Sequence, residues 1–325
     1  MRKTIFCAAL AIAAALTSLQ PASAQTKWQL PAAYPADNPH SVNLIQFAKD
    51  VSDATGGKLQ ITVHPAASLF KAPDIKRAVQ TGQVQIGEVL ISLHENEDPM
   101  FGVDVVPFLA TSFDESHKLW DASKPYIAKK LESQGMMVLF AVPWAPQGVY
   151  AKKDINTVDD MKGLKWRAYN VGTARIGELV GAQVVTVQAA ELAQALATGV
   201  VNSFITSAAT GYDSKAWESV DHYYDTQAWI PKNITFVNKA AFNALDKPTQ
   251  DALLKAAATA ETRGWKMWQV KSDWYLDQLK SHGMKVLPPS PELKAGLKKI
   301  GDQLTTDWVK KAGKDGEAVL GAYKK

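Results

Sequence analysis

Cysteine is almost absent from this chain: Cys7 is the only one in 325 residues. It sits near the start of an apolar run at 5–16, whereas a lipid-anchored cysteine would follow such a run. The mature chain is therefore expected to carry no disulfide, no thiol and no cysteine metal ligand. An excess of charge of one sign is missing as well. Thirty-six basic and thirty-two acidic residues give a net +4, which falls to +2 when Arg2 and Lys3 leave with the leader described below. That balance, with lysines scattered rather than clustered, argues against a nucleic-acid partner. No later stretch reaches the ~18 consecutive apolar residues of a transmembrane helix, so no stable membrane insertion is expected. Local catalytic signatures are absent too. The six histidines, His40, His64, His94, His117, His222 and His282, never fall four apart, and no nucleophile elbow, Walker A loop or Gly-x-Gly-x-x-Gly turn occurs. No catalytic residue, cofactor or metal is called for.

The first residues have a definite pattern. Arg2 and Lys3 precede the short apolar run, and Ala22-Ser23-Ala24 supplies the small-x-small site of a signal peptidase. Residues 1–24 read as a secretory signal, with a mature chain beginning at Gln25 and exported to the periplasm. The remaining length suffices for two domains with full hydrophobic cores, without staples.

From Trp28 onward short apolar runs alternate with helical segments, the pattern of α/β domains. Strands are predicted at 28–33, 59–63, 83–90 and 136–142, and helices at 41–55, 74–81 and 114–133. A second unit offers strands at 164–168, 183–187 and 200–205 and helices at 171–180 and 189–198. A strand at 233–238 then precedes the longest helix, which Pro248 opens and which runs to about residue 281. More than 30 helical residues span ~45 Å or more, enough to lie across both domains. The acidic stretch His94-Glu95-Asn96-Glu97-Asp98 could offer ligands to a cation, but it lacks the register and central glycine of a calcium loop. It reads better as a solvated loop.

Arg167 occupies an unusual place. In its strand Leu164 and Trp166 point one way, and Lys165, Arg167 and Tyr169 the other. An arginine at the carboxyl end of an α/β strand faces the crevice where ligands bind, and its planar fork can take a carboxylate bidentately. An exposed edge arginine is the alternative.

Asp160-Met161-Lys162-Gly163-Leu164-Lys165-Trp166-Arg167 resembles a signature of the solute-binding proteins of TRAP (tripartite ATP-independent periplasmic) transporters, the dicarboxylate-receptor-like family. So does the run from Glu191 through Ala195-Leu196 and Gly199 to Asn202, where the family usually has Asp. Thr55-Gly56-Gly57-Lys58, Pro65 with Leu69, and Gly82 before a strand extend the likeness over nearly the whole mature chain. The resemblance implies a two-domain periplasmic binding protein of type II, with hinge strands, a helix spanning both domains and the ligand in the cleft. On this reading domain 1 comprises residues 25–144 plus 233–272, and domain 2 residues 145–232 plus 273–325. It further implies that Arg167 grips the ligand carboxylate, that Asn170 and Thr206 line the pocket, and that Asn233 reaches the ligand from near the hinge. Gln147 falls where sialic-acid-binding members have a second arginine, and Leu90 where they have a glutamate, so the pocket is less charged. Trp144, Phe204, Tyr212 and Trp229 lie close by in sequence and suggest a flat or apolar tail on the acid. The expected function is that of a receptor for a small organic acid, a monocarboxylate, which it delivers to TRAP membrane subunits. A binding protein of an ATP-driven transporter and a periplasmic enzyme acting on an organic acid stay open as alternatives.

Overall fold

The computed structural model describes residues 25–325. The expected signal segment and Cys7 lie outside the described residues. Strand β1 (Thr26–Pro31) leads to helix α1 (Pro39–Ala54), strand β2 (Leu59–His64), helix α2 (Ala72–Gln80) and strand β3 (Ile86–Leu90). Two 3-10 segments, Ile91–His94 and Pro99–Val105, precede helix α3 (Phe113–Ser133) and strand β4 (Met136–Pro143). The second unit runs β5 (Gln147–Ala151), β6 (Lys165–Ala168), α4 (Val171–Leu179), β7 (Gln183–Thr186), α5 (Leu192–Ala197), β8 (Ser203–Ser207), α6 (Ala208–Asp213) and β9 (His222–Tyr224). The chain then returns through β10 (Lys232–Asn238) and α7 (Lys239–Asn243) to α8 (Lys247–Ser281), β11 (Lys285–Leu287) and α9 (Pro291–Tyr323).

Among the described residues the strands form three sheets. β1 and β2 pair in parallel, β10 lies antiparallel between β3 and β4, and the six-stranded sheet has the order β11-β9-β5-β8-β6-β7. The two units are joined where β4 passes into β5 and β9 into β10. These crossings pair with each other: Trp144 N donates to Pro231 O at 2.8 Å, Gln147 N to Trp229 O at 3.0 Å and Ala228 N to Gln147 O at 2.9 Å. They are the hinge strands of a type II binding protein. The 35-residue α8 is the third tie, about 50 Å long. It packs on α1 and β4 of one unit and on α6 and β11 of the other.

Local chemistry sets the element ends. Helix α1 begins before the periodic stretch because Asn38 caps it, accepting from His40 N at 2.9 Å, with Pro39 at the first position. Helix α3 opens on a reciprocal capping box between Ser112 and Glu115. Three expectations need correction. The segment expected as a strand at 200–205 pairs only from Ser203, because Val200 N and Val201 N fold back onto Ala195 O and close the α5 terminus. In the same way Gln83 N and Val84 N return to Ala78 O, so β3 starts at Ile86. The stretch at 94–98 is a turn solvated at Asn96 and Glu97 but anchored at its start. His94 is buried, and Glu97 accepts from Lys76 Nζ at 2.6 Å, a lysine only 2% exposed. Burial, reinforced by Lys76, depresses the His94 pKa to about 4.

Candidate functional site

A cavity of about 460 Å³ lies where the two units face each other across the hinge strands, a size suited to a small molecule. Its floor carries Trp144, Gln147 and Pro231 from those strands, and one wall carries Arg167, Tyr169 and Thr206. The opposite wall is apolar and small, with Ala33, Leu90 and Leu93, and includes Tyr34.

Arg167 stands on β6 between β7 and β8 and is 2% exposed. An edge arginine in solvent is thereby excluded. Its Nε donates to Val187 O at 2.8 Å, and its guanidinium lies 4.9 Å from the Tyr169 ring centre. Nη1 is buried without a hydrogen-bond partner. Among the described residues no carboxylate pairs with it: the groups that favour its charge are the phenols of Tyr169 and Tyr34. Burial lowers its pKa to about 10, so it remains a cation at neutral pH. A desolvated cation with an open donor fork is unfavourable by itself and becomes favourable once an anion occupies the cavity.

Gln147 is fixed by its neighbours. Its Nε2 donates to Ala145 O at 2.8 Å, while Tyr169 OH donates to its Oε1 at 3.4 Å and Trp229 Nε1 donates in turn to the Tyr169 oxygen at 3.3 Å. The next residue has to be glycine, since a Cβ on Gly148 would sit 2.3 Å from Tyr223 Cζ. Thr206 pairs opposite Gly148, which brings its side chain to the wall.

Of the six residues expected at the site, Arg167, Gln147, Thr206 and Trp144 line the cavity; Asn170 and Asn233 stand behind it. Asn170 caps α4, accepting from Thr173 N at 2.8 Å, and its Nδ2 donates to Ser92 Oγ at 3.0 Å, a link between the two units. Asn233 Oδ1 accepts from Trp144 Nε1 at 2.8 Å. Leu90, in place of a charged residue, is on the wall. The other nearby aromatics are structural: Phe204 stacks on Tyr150 at 4.4 Å, Tyr212 packs against Trp217 and Trp274, and Trp229 braces Tyr169. Tyr34 is the wall residue that the sequence pattern does not single out. It follows the carboxyl end of β1 in an irregular stretch, and the strand-end rule that marks Arg167 would also have marked it.

Lys71 Nζ and Glu191 Oε1, 3.2 Å apart, bridge the cavity mouth; both are exposed, and the pair adds little stability. The 94–98 segment forms no cluster that could hold a metal ion among the described residues.

Two domains, hinge strands between them and a cleft with an unpaired buried arginine define a receptor for a small organic anion. The family of bacterial extracellular solute-binding proteins, family 7, matches residues 32–311, and the chain belongs to it, as a solute receptor of the TRAP type. It is an extracytoplasmic, periplasmic receptor for an organic acid and not an enzyme. Among the described residues no helix is long and apolar enough to cross a membrane. The chain is 58% identical to DctP6, an extracytoplasmic solute receptor from Bordetella pertussis that binds pyroglutamic acid, with a TM-score of 0.91 over 92% of this chain and 99% of that one. It is 44% identical to a marine metagenome TRAP solute-binding protein specific for pyroglutamate, TM-score 0.91, covering 93% and 99% of the two chains. It is also similar to the monocarboxylate 2-oxoacid-binding periplasmic protein of Nostoc sp., at 24% identity over 87% of this chain and 79% of the other.

Proposed function

We propose that this receptor binds pyroglutamate, or a compact cyclic monocarboxylate like it, and that Arg167 grips the carboxylate. The observation that carries the reading is the buried Arg167, without an anionic partner among the described residues, on the wall of a mostly apolar cavity. One carboxylate satisfies one guanidinium, and among the described residues the only other cation at the cavity is Lys71, exposed at its mouth and paired with Glu191. A dicarboxylate would bury a charge without a partner. Trp144 is wedged between Tyr34, His40 and Trp268 at ring distances of 4.3 to 5.1 Å. This favours a compact ring within the flat or apolar tails that the sequence suggests. The polar groups of Gln147 and Thr206 suit the amide of such a ring.

In this reading Arg167, Gln147, Thr206 and Trp144 touch the ligand, while Asn170 and Asn233 hold the walls. Residues 25–144 plus 233–272 and residues 145–232 plus 273–325 move as the two bodies about the crossings at 144–146 and 225–231, except that the end of α9 goes with the first, where Trp308 Nε1 donates to Pro99 O at 2.7 Å and Tyr323 OH to Leu109 O at 2.8 Å. The closed form is what the TRAP membrane subunits receive.

A thermal-shift screen of monocarboxylates, dicarboxylates, sugars and amino acids tests the reading. Pyroglutamate at a hundred times its dissociation constant should stabilise the protein by ~2.7 kcal/mol, visible as a rise of several degrees. A shift given only by dicarboxylates or neutral sugars would overturn it.

A further inference from the structure

Tyr34 is held more firmly than a residue in an irregular stretch needs to be. Its carbonyl accepts from Ser41 Oγ at 3.0 Å and from Ala66 N at 2.7 Å, and Ala66 and Ala67 take left-handed backbone conformations, both at φ 55°, to pass beneath it. Its ring meets Trp144 edge to face at 4.5 Å. Trp144 donates its indole N–H to Asn233 Oδ1, which settles the orientation of that amide. The Asn233 amide nitrogen is buried and makes no hydrogen bond among the described residues. Burial, followed by the nearby Glu88 carboxylate, pushes the Tyr34 hydroxyl well above its ordinary pKa, so it stays protonated. Among the described residues the Tyr34 hydroxyl makes no hydrogen bond, so its hydrogen is free to turn into the cavity that Tyr34 lines.

We infer that Tyr34 is a specificity-determining residue: its hydroxyl donates to an acceptor oxygen on the ligand's ring, such as a lactam carbonyl, with Trp144 and Asn233 as positioning residues. This rests on the proposed reading of the cleft as a site for a cyclic monocarboxylate. Arg167 belongs to the six-stranded sheet and Tyr34 follows β1 in the other unit. A ligand that satisfies both spans the cleft, so recognition of the ring and closure become one event. Around Tyr34 the wall is Ala33, Ala66, Ala67 and Leu90, none of which offers a side-chain donor to replace it.

The experiment is calorimetry with two acids of nearly the same shape, pyroglutamate and cyclopentanecarboxylate, the second lacking the ring amide. Wild-type protein should prefer pyroglutamate, and Tyr34→Phe should weaken pyroglutamate about tenfold or more while moving cyclopentanecarboxylate by about twofold or less. Trp144→Phe, which keeps a ring but loses the N–H, should shrink the same ratio partway, a result that simple loss of packing would not give. Equal weakening of both acids by Tyr34→Phe, or none, would overturn the inference, as would a wild-type protein that binds the two equally well. A wild-type protein that binds neither would overturn the monocarboxylate reading itself and this inference with it.

Discussion

Arg167 and Lys232 are both buried to within 2% of full burial, yet their surroundings differ in kind. Lys232, at the start of β10, has Asp104 Oδ2 at 3.5 Å, donates to Ser116 Oγ at 3.0 Å and to Ile230 O at 3.4 Å, and its backbone N–H reaches Asp104 at 2.8 Å. Burial pulls the Lys232 ammonium down and the Asp104 carboxyl up, and each opposes the other's shift. That cation is satisfied by the fold. Arg167 has one backbone acceptor and an aromatic face, and its remaining donors meet no anion among the described residues. The difference separates a charge kept for structure from a charge kept for something that comes and goes. The same amino-acid chemistry contributes to stability at one site and to affinity at the other.

The largest expected effect lies on the structural side. Lys232→Met leaves Asp104 buried without its cation and should lower stability by about 3–5 kcal/mol. Urea unfolding would measure it, and adding Asp104→Leu should restore most of the loss. If the single variant were as stable as wild type, the two cations would not differ as described. Next comes Arg167→Ala, which removes from the fold no charge partner and one hydrogen bond, that to Val187 O. It should keep the thermal midpoint near or above that of ligand-free wild type, while affinity for pyroglutamate falls by about 2–5 kcal/mol, roughly 30-fold or more. Arg167→Lys should rescue only in part, because the ammonium lacks the fork.

A smaller effect concerns Glu95, which lies against the amino end of α4 with the Gly172 N–H in reach. Burial raises its pKa to about 7, so the folded state holds a proton that the unfolded state has released. The sign follows: stability is greatest at low pH and is lost as pH rises through the range up to about 7. His94 works in the opposite sense, because its depressed pKa costs stability as pH falls from its ordinary range toward about 4. The comparison of variants isolates one from the other. Glu95→Gln should exceed wild type in stability by on the order of 1–3 kcal/mol at about pH 8, and the gap should close by about pH 4. A gap independent of pH would remove Glu95 from the account.

How much of this could be read in the chain varies with the kind of residue. Arg167 was legible, because strand alternation, the carboxyl-end rule and the surrounding motif all point to one side chain. The long helix α8 was legible from the proline at its start and the glycine beyond its end, whereas the nearly equal α9, which also opens on a proline, was not read. Gln147 and Leu90 were found as departures from a pattern. Tyr34 was not found, because its place depends on the Ala66–Ala67 turn some thirty residues away and on an amide on β10. Neither leaves a local trace, so only the place of Tyr34 just beyond the carboxyl end of β1 could have marked it. Asn233 illustrates the converse: its sequence position near the hinge is right, but the Trp144 indole claims its oxygen and holds it behind the wall. The short strands β9 and β11, three residues each, exist through pairing with distant partners and carry no periodic signal of their own.

The measurement that bears most directly on the unpaired arginine is a calorimetric comparison of pyroglutamate with its neutral carboxamide, which keeps the ring and replaces only the anion. Wild-type protein should bind the acid about 30-fold or more tightly than the amide, and in Arg167→Ala that preference should vanish. Equal affinity of the wild-type protein for the acid and the amide would contradict the claim that Arg167 awaits a carboxylate.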